Sequence, residues 1–199
     1  MLNYENIVKE KMSKKRFIHS LNVSKVAKKL AQAYGSDEKK AEMAGLLHDI
    51  TKEMPEDEQL KLFESEGIVL DDVERSTTKL WHSISGTIYV KKYLNIQDAD
   101  ILNAIRYHTT ARSDMSLLEK IIVMSDFISE DRQYDNVEYM RSLALENLDK
   151  AIIYGLKIQM EFLFEQDKPI AVNMLKAYND IILKMRKSEG TVWNITAKI

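Results

Sequence analysis

No cysteine occurs among the 199 residues, so disulfides and thiolate metal sites are excluded and any bound metal must rely on histidine and carboxylate. That fits a reducing compartment. Proline and glycine are also scarce, at two and six residues, which leaves long stretches free of helix breakers and predicts an all-α protein. Neither charge sign dominates: 29 lysines and arginines face 31 aspartates and glutamates, so no global field draws the chain to nucleic acid or to a membrane surface. No uninterrupted apolar run is long enough to cross a bilayer. The stretch from Met1 to Lys15 lacks the apolar core of a secretory signal. The expected location is the cytoplasm.

What is present is ordinary for a globular chain, 45% hydrophobic and 30% charged residues, and the length suits one domain over 1–199 with a real core. Helical periodicity runs through most of it. A short amphipathic helix is predicted from Leu2 to Met12. Ser13 then caps a long helix, Lys14 to Tyr34, which Gly35 stops. Ser36 is the predicted cap of the next helix, ending in His48-Asp49. Pro55 opens a helix to Glu64 carrying Leu60 and Phe63, and the polar stretch 68–79 reads as a loop or short helices. Helices follow from His82 to Leu94, from Asp98 to Tyr107 and from Ser116 to Phe127, the last with Leu117, Ile121, Met124 and Ile128 on one side. One long helical stretch from Val137 to Phe164 and a last helix with Pro169 in its first turn complete the pattern. The metal-site core is expected at about 15–137 and packing helices at about 138–187; the tail 188–199 shows no clear periodicity. A homodimer is plausible because amphipathic C-terminal helices could offer an apolar face.

Chemistry concentrates in Ala44-Gly45-Leu46-Leu47-His48-Asp49-Ile50-Thr51-Lys52. Adjacent side chains on a helix lie about 100° apart, so His48 and Asp49 can face one ion if the helix ends or bends there. Imidazole beside carboxylate suits iron, manganese, zinc or similar divalent ions, and Lys52 supplies a cation for phosphate. Taken singly, His19 and His82 read more readily as surface or helix-end residues, while His108 reads equally as a ligand or a helix-terminal cation. Asp126 stands within the apolar run Ile121-Ile122-Val123-Met124 and needs a partner. Together the four histidines and two aspartates form an ordered series: His19, His48-Asp49, His82, His108, Asp126.

That series resembles the HD-domain metal-dependent phosphohydrolases, named for their His-Asp pair. More narrowly it is similar to the YqeK-type symmetrical bis(5′-nucleosyl)-tetraphosphatases. The likeness rests on the residues just named and on Asn103-Ala104-Ile105-Arg106-Tyr107-His108-Thr109-Thr110, Lys120-Ile121-Ile122 and Arg132. It implies an all-α HD-domain helical bundle with two divalent metal ions, iron in first place and manganese as the alternative. One would be held by His19, His48, Asp49 and Asp126, the other by His82 and His108, with Asp49 bridging. It implies Asp49 and Lys52 as catalytic residues, and Lys52, Arg106, Thr109 and Arg132 as contacts to a dinucleoside polyphosphate. Diadenosine tetraphosphate would be cut in its middle to two ADP, with a bridging hydroxide as the attacking group. The alternatives are another nucleotide phosphohydrolase on the same scaffold, a nucleotidase or phosphodiesterase, or a non-catalytic nucleotide-binding module. The chain departs from the family pattern at Ser83 and Ala111, where glycine is common, and at Ser129-Glu130-Asp131, which lacks a Glu-Pro step.

Overall fold

A computed structural model of the chain describes residues 4–188. Among these are eleven α-helices, one 3-10 turn and no strand. Helix α1 (Tyr4–Lys11) leads to α2 (Lys14–Tyr34), whose first turn is capped by the Ser13 hydroxyl and whose end is closed by Gly35 at φ 68°. Helix α3 (Glu38–Leu47) starts one residue later than the spacing suggests. Asp37, not Ser36, is the cap, its carboxylate accepting from the amides of Lys39 and Lys40. An aspartate does this better because it also meets the positive end of the helix dipole.

Helix α4 (Glu56–Ser65) and α6 (Trp81–Tyr93) enclose a small apolar cluster of Leu62, Phe63, Leu70, Trp81, Ile84 and Ile88. Leu60 is not in it; it faces out, and Leu62 takes the inward position. Between the two helices run α5 (Asp72–Ser76) and the 3-10 turn Thr78–Leu80. Helix α7 (Ala99–Tyr107) is capped by Asp98, and α8 (Leu117–Ile128) by a reciprocal Ser116–Glu119 pair. Leu118 rather than Leu117 belongs to the buried side of α8.

The predicted long helix from Val137 is two: α9 (Val137–Glu146) and α10 (Leu148–Glu165). Asn147 separates them in an extended conformation, φ −156°, and its side chain caps α10 through the Lys150 amide. Helix α11 (Val172–Ser188) begins beyond Pro169, which stands in the preceding connection and not in the first turn. The expectations for Leu2 and for the tail from Glu189 fall outside the described residues.

The main core is built where α2, α3, α7, α8 and α10 meet, around Leu30, Leu47, Ile105, Ile121, Ile122 and Ile152. Its tightest point is the crossing of α2 and α3. A Cβ on Gly45 would lie 2.8 Å from the Ser24 Cα. Glycine is therefore what lets the two backbones touch, and this contact carries the end of α3, with His48, onto the flank of α2, with His19.

Candidate active site

His48 and His108 occupy equivalent places, the residue just past the end of α3 and of α7. Carbonyls in the last turn of a helix run short of amide partners, and each imidazole folds back onto one: His48 Nδ1 lies 2.7 Å from the Gly45 carbonyl oxygen, His108 Nδ1 2.8 Å from that of Ile105. The nitrogen facing a carbonyl must donate, so in the neutral ring Nε2 is left with a lone pair turned inward. On α2, His19 Nδ1 is engaged in the same sense at 2.8 Å from Asp131 Oδ2. Asn22 Nδ2 donates to the other oxygen of that carboxylate at 3.2 Å.

These lone pairs converge on two carboxylates. His19 Nε2 is 3.0 Å from Asp126 Oδ1, and His48 Nε2 is 3.4 Å from Asp49 Oδ2. Asp49 Oδ1 lies 3.1 Å from His82 Nε2 and 3.6 Å from His108 Nε2. Ligand atoms of His19, His48 and Asp126 fall within 4.8 Å of one another, as do those of His48, Asp49 and His108. All six predicted side chains are thus in one place. His48 borders both groups, while His82 approaches through Asp49 and through His108, 3.1 Å between their Nε2 atoms.

The electrostatics show what such a cluster needs. The Nε2 atoms of His19 and His48 are buried and have no hydrogen-bond partner. A lone pair facing a carboxylate oxygen at 3.0–3.4 Å is repulsive unless a proton or a metal cation lies between them. Burial resists protonation: it pulls His82 down to about 4 and lowers His108. For His48, burial also works downward, but the Asp49 carboxylate outweighs it and the pKa rises. Burial alone would raise Asp49 and Asp126; the surrounding imidazoles, together with Arg132 at Asp126, hold both well below the usual carboxylate range. Anionic oxygens and inward imidazole lone pairs in a buried space form a donor set suited to divalent cations.

Around the cluster stand Arg16 and Thr51, which the sequence pattern did not single out, and Lys52 and Arg132, which it did. Arg16 Nη1 donates to Asp49 Oδ2 at 2.8 Å. Thr51 donates to the His82 carbonyl at 2.9 Å and lies 2.8 Å from the Ser85 hydroxyl, tying the turn after His48-Asp49 to α6. Lys52 Nζ lies 3.2 Å from both ring nitrogens of His82. Burial lowers its pKa, against the pull of Asp49. Arg132 Nη2 pairs with Asp126 Oδ1 while its Nε donates to the Asp126 carbonyl.

A cavity of about 750 Å³ opens from the cluster, and Lys52, Thr109, Asp126 and Arg132 line its near end. Arg106 is not among the lining residues. Its guanidinium pairs with Glu74 at 2.8 Å, and the Glu74 carbonyl accepts from the Trp81 indole at 2.7 Å. Arg106 therefore braces the segment 76–80, which forms one wall of the cavity.

The HD domain family profile matches residues 16–131. The chain belongs to the HD-domain family. Among its relatives, the symmetrical bis(5′-nucleosyl)-tetraphosphatase of Bacillus subtilis (strain 168) is 35% identical, over 88% of this chain and 94% of that one. The protein of the same name from Halalkalibacterium halodurans is 37% identical over 90% and 96%. A solved structure, described as a predicted HD superfamily hydrolase involved in NAD metabolism from Clostridium acetobutylicum, superposes with a TM-score of 0.89 at 36% identity. It covers 92% of this chain and 99% of its own. An HD domain implies divalent-metal binding, and the donors of the buried His-Asp cluster could hold such an ion.

The three departures from the narrower tetraphosphatase pattern have structural counterparts. Ala111 sits at φ 54°, a left-handed conformation that glycine adopts without strain and alanine does not. Ala111→Gly is expected to change stability by about 1 kcal/mol or less in the stabilising direction, because relief of strain is offset by added freedom in the unfolded chain; denaturant midpoints measure it. Ser83 donates to the Leu80 carbonyl at 2.9 Å and receives the Thr109 hydroxyl at 3.4 Å. Asp131, in the segment without the Glu-Pro step, is the partner of His19. Asp131→Ala is predicted to weaken metal binding by about 10–100-fold, the usual cost of losing a partner behind a ligand. A metal titration reads this, and unchanged affinity would deny Asp131 any hold on the site.

Proposed function

We propose that this HD-domain protein hydrolyses diadenosine tetraphosphate at its central anhydride, adding one water to give two ADP. The observation that carries the reading is the convergence of four imidazoles and two carboxylates beside a cavity that His108 and Asp126 border and that also presents Lys52 and Arg132. High-coverage relatives named for this reaction support it.

His19, His48, Asp49 and Asp126 would hold one divalent ion and His82 and His108 a second, with Asp49 between them; iron is the proposed metal and manganese the alternative. Such ions supply charge neutralisation at the phosphoryl group and activate water at neutral pH. The chain's own side chains do the rest. Asp131 and the Gly45 and Ile105 carbonyls fix three imidazoles in the tautomer that points Nε2 inward. Arg16 and Arg132 anchor the two carboxylates, so their oxygens are positioned before substrate arrives. Lys52 brings a cation to the end of the cavity beside the cluster, within 3.2 Å of His82, and Thr109 adds a hydroxyl to the same lining. The departing ADP is a stable phosphate anion, so these cations need only meet its growing charge.

Lys52→Ala is expected to lower kcat/KM by about a hundred-fold, the scale for one charge-stabilising donor, while metal content stays at the wild-type level. Loss of metal in that variant would move Lys52 from substrate contact to site integrity. The reading as a whole is tested by a substrate panel with products separated by chromatography. ADP as the sole product from diadenosine tetraphosphate, with mononucleotides and cyclic nucleotides turned over far more slowly, supports it. Faster turnover of a mononucleotide or cyclic nucleotide would replace it with a nucleotidase or phosphodiesterase. Tight nucleotide binding without turnover at any metal loading would make the chain a binding module.

A further inference from the structure

The cavity runs on from the metal-ligating side chains into the space between α8, α10 and α11, where its walls become apolar: Phe127, Ile158, Leu163 and Met174. Phe127 follows Asp126 directly, so this region begins one residue from the cluster. Its ring packs against α10 at Gly155. A Cβ on Gly155 would lie 3.2 Å from two of the ring carbons, so a larger residue there would press the ring outward by a few tenths of an ångström. The Tyr134 hydroxyl, donating to the Phe127 carbonyl at 2.8 Å, fixes the residue from the other side. One turn beyond Gly155, on the same face of α10, is Gln159. It is the only amide side chain among the lining residues, and its amide makes no hydrogen bond within the described residues.

A rigid aromatic ring bordering a cavity is a stacking surface for a flat base. A free amide beside it offers one acceptor and one two-proton donor. We propose that this end of the cavity is a purine subsite, in which the base stacks on Phe127 and Gln159 reads its Watson–Crick edge. The proposal rests on the dinucleotide reading above and adds the base. In one orientation the amide pairs with adenine, accepting from N6 and donating to N1; turned over, it accepts from N1–H of guanine and donates to O6. The wild-type protein therefore accepts both purines. A carboxylate at the same position can only accept. It suits guanine, which offers N1–H and N2–H, and it faces the lone pair of adenine N1.

The test uses manganese-loaded full-length protein and calorimetric binding of ADP, GDP and inorganic pyrophosphate, so no turnover is required. Gln159→Glu is expected to shift the ADP-to-GDP affinity ratio toward GDP by about ten-fold or more, the scale of one two-point base contact. Gln159→Leu should weaken both nucleotides and leave pyrophosphate unchanged. A Gln159→Glu ratio equal to that of the wild type would overturn the subsite without touching the dinucleotide reading. If instead the ratio shifts while the wild-type protein fails to cut diadenosine tetraphosphate, the subsite stands and the proposed reaction falls.

Discussion

Asp49→Ala is expected to lose bound metal and turnover together, with kcat/KM falling at least about a thousand-fold, or roughly 4 kcal/mol of transition-state stabilisation. The size follows from position. Asp49 Oδ1 faces His82 and His108, and Oδ2 faces Arg16 and His48. Its removal leaves buried imidazole lone pairs and a guanidinium without the anion that gathers them. Asp49→Asn separates charge from shape, since the amide fills the same space with no net charge. It too is predicted to lose metal, measured by elemental analysis after gel filtration. An Asp49→Asn protein with full metal content and normal hydrolysis would remove Asp49 from the centre of the site.

Gly45→Ala carries the largest expected effect on stability. The added methyl would meet the Ser24 Cα at 2.8 Å and the Ser24 amide nitrogen at 3.0 Å. Backbone cannot rotate away as a side chain can, so α2 and α3 must separate. The cost is about 3 kcal/mol, the upper range for overpacking. For a chain of this size that lowers Tm by roughly 6–12 °C. The same shift displaces the carbonyl that holds His48 Nδ1 and moves His48 relative to His19. Metal affinity in the folded protein is therefore expected to fall as well, read by titration below the melting transition. A wild-type Tm in this variant would show that the helices do not need their close approach.

Helix starts are readable where a capping side chain precedes an apolar run, because capping is local chemistry: Ser13 is legible as a cap, and Asp98 and Ser116, where the pattern opens its helices, prove to be the caps one residue before them. Asn147 escaped notice for the opposite reason: helical periodicity continues on both sides of it, and nothing in the spacing shows that one residue is extended. Spacing puts Leu117 on the apolar side of its helix and marks Leu60 beside Phe63, yet Leu118 and Leu62 join Phe63 in the packed interior instead; only the packed neighbours decide it.

The six clustered side chains were legible as a series of residue types unusual for their apolar surroundings. Their supports were not. Arg16 meets Asp49 across 33 positions of sequence, and Asp131 meets His19 across 112. Asp131 lies in a stretch that sequence comparison marks only as a departure, though one signal was available: a third acid within six residues of Asp126 and beside Arg132. Arg106 shows the converse. Its place next to the Tyr107-His108-Thr109 run points to phosphate, whereas Glu74, brought near by the α5 segment, takes its guanidinium.

Divalent ions at the His-Asp cluster are central to this account, and one titration tests them directly. Chelator-stripped protein is reloaded with Fe²⁺ or Mn²⁺ under anaerobic conditions while ADP release from diadenosine tetraphosphate is followed. The expected result is no turnover without metal and a rise that saturates near about two equivalents per chain. Full turnover in the stripped protein, or no metal retained at any loading, would contradict it.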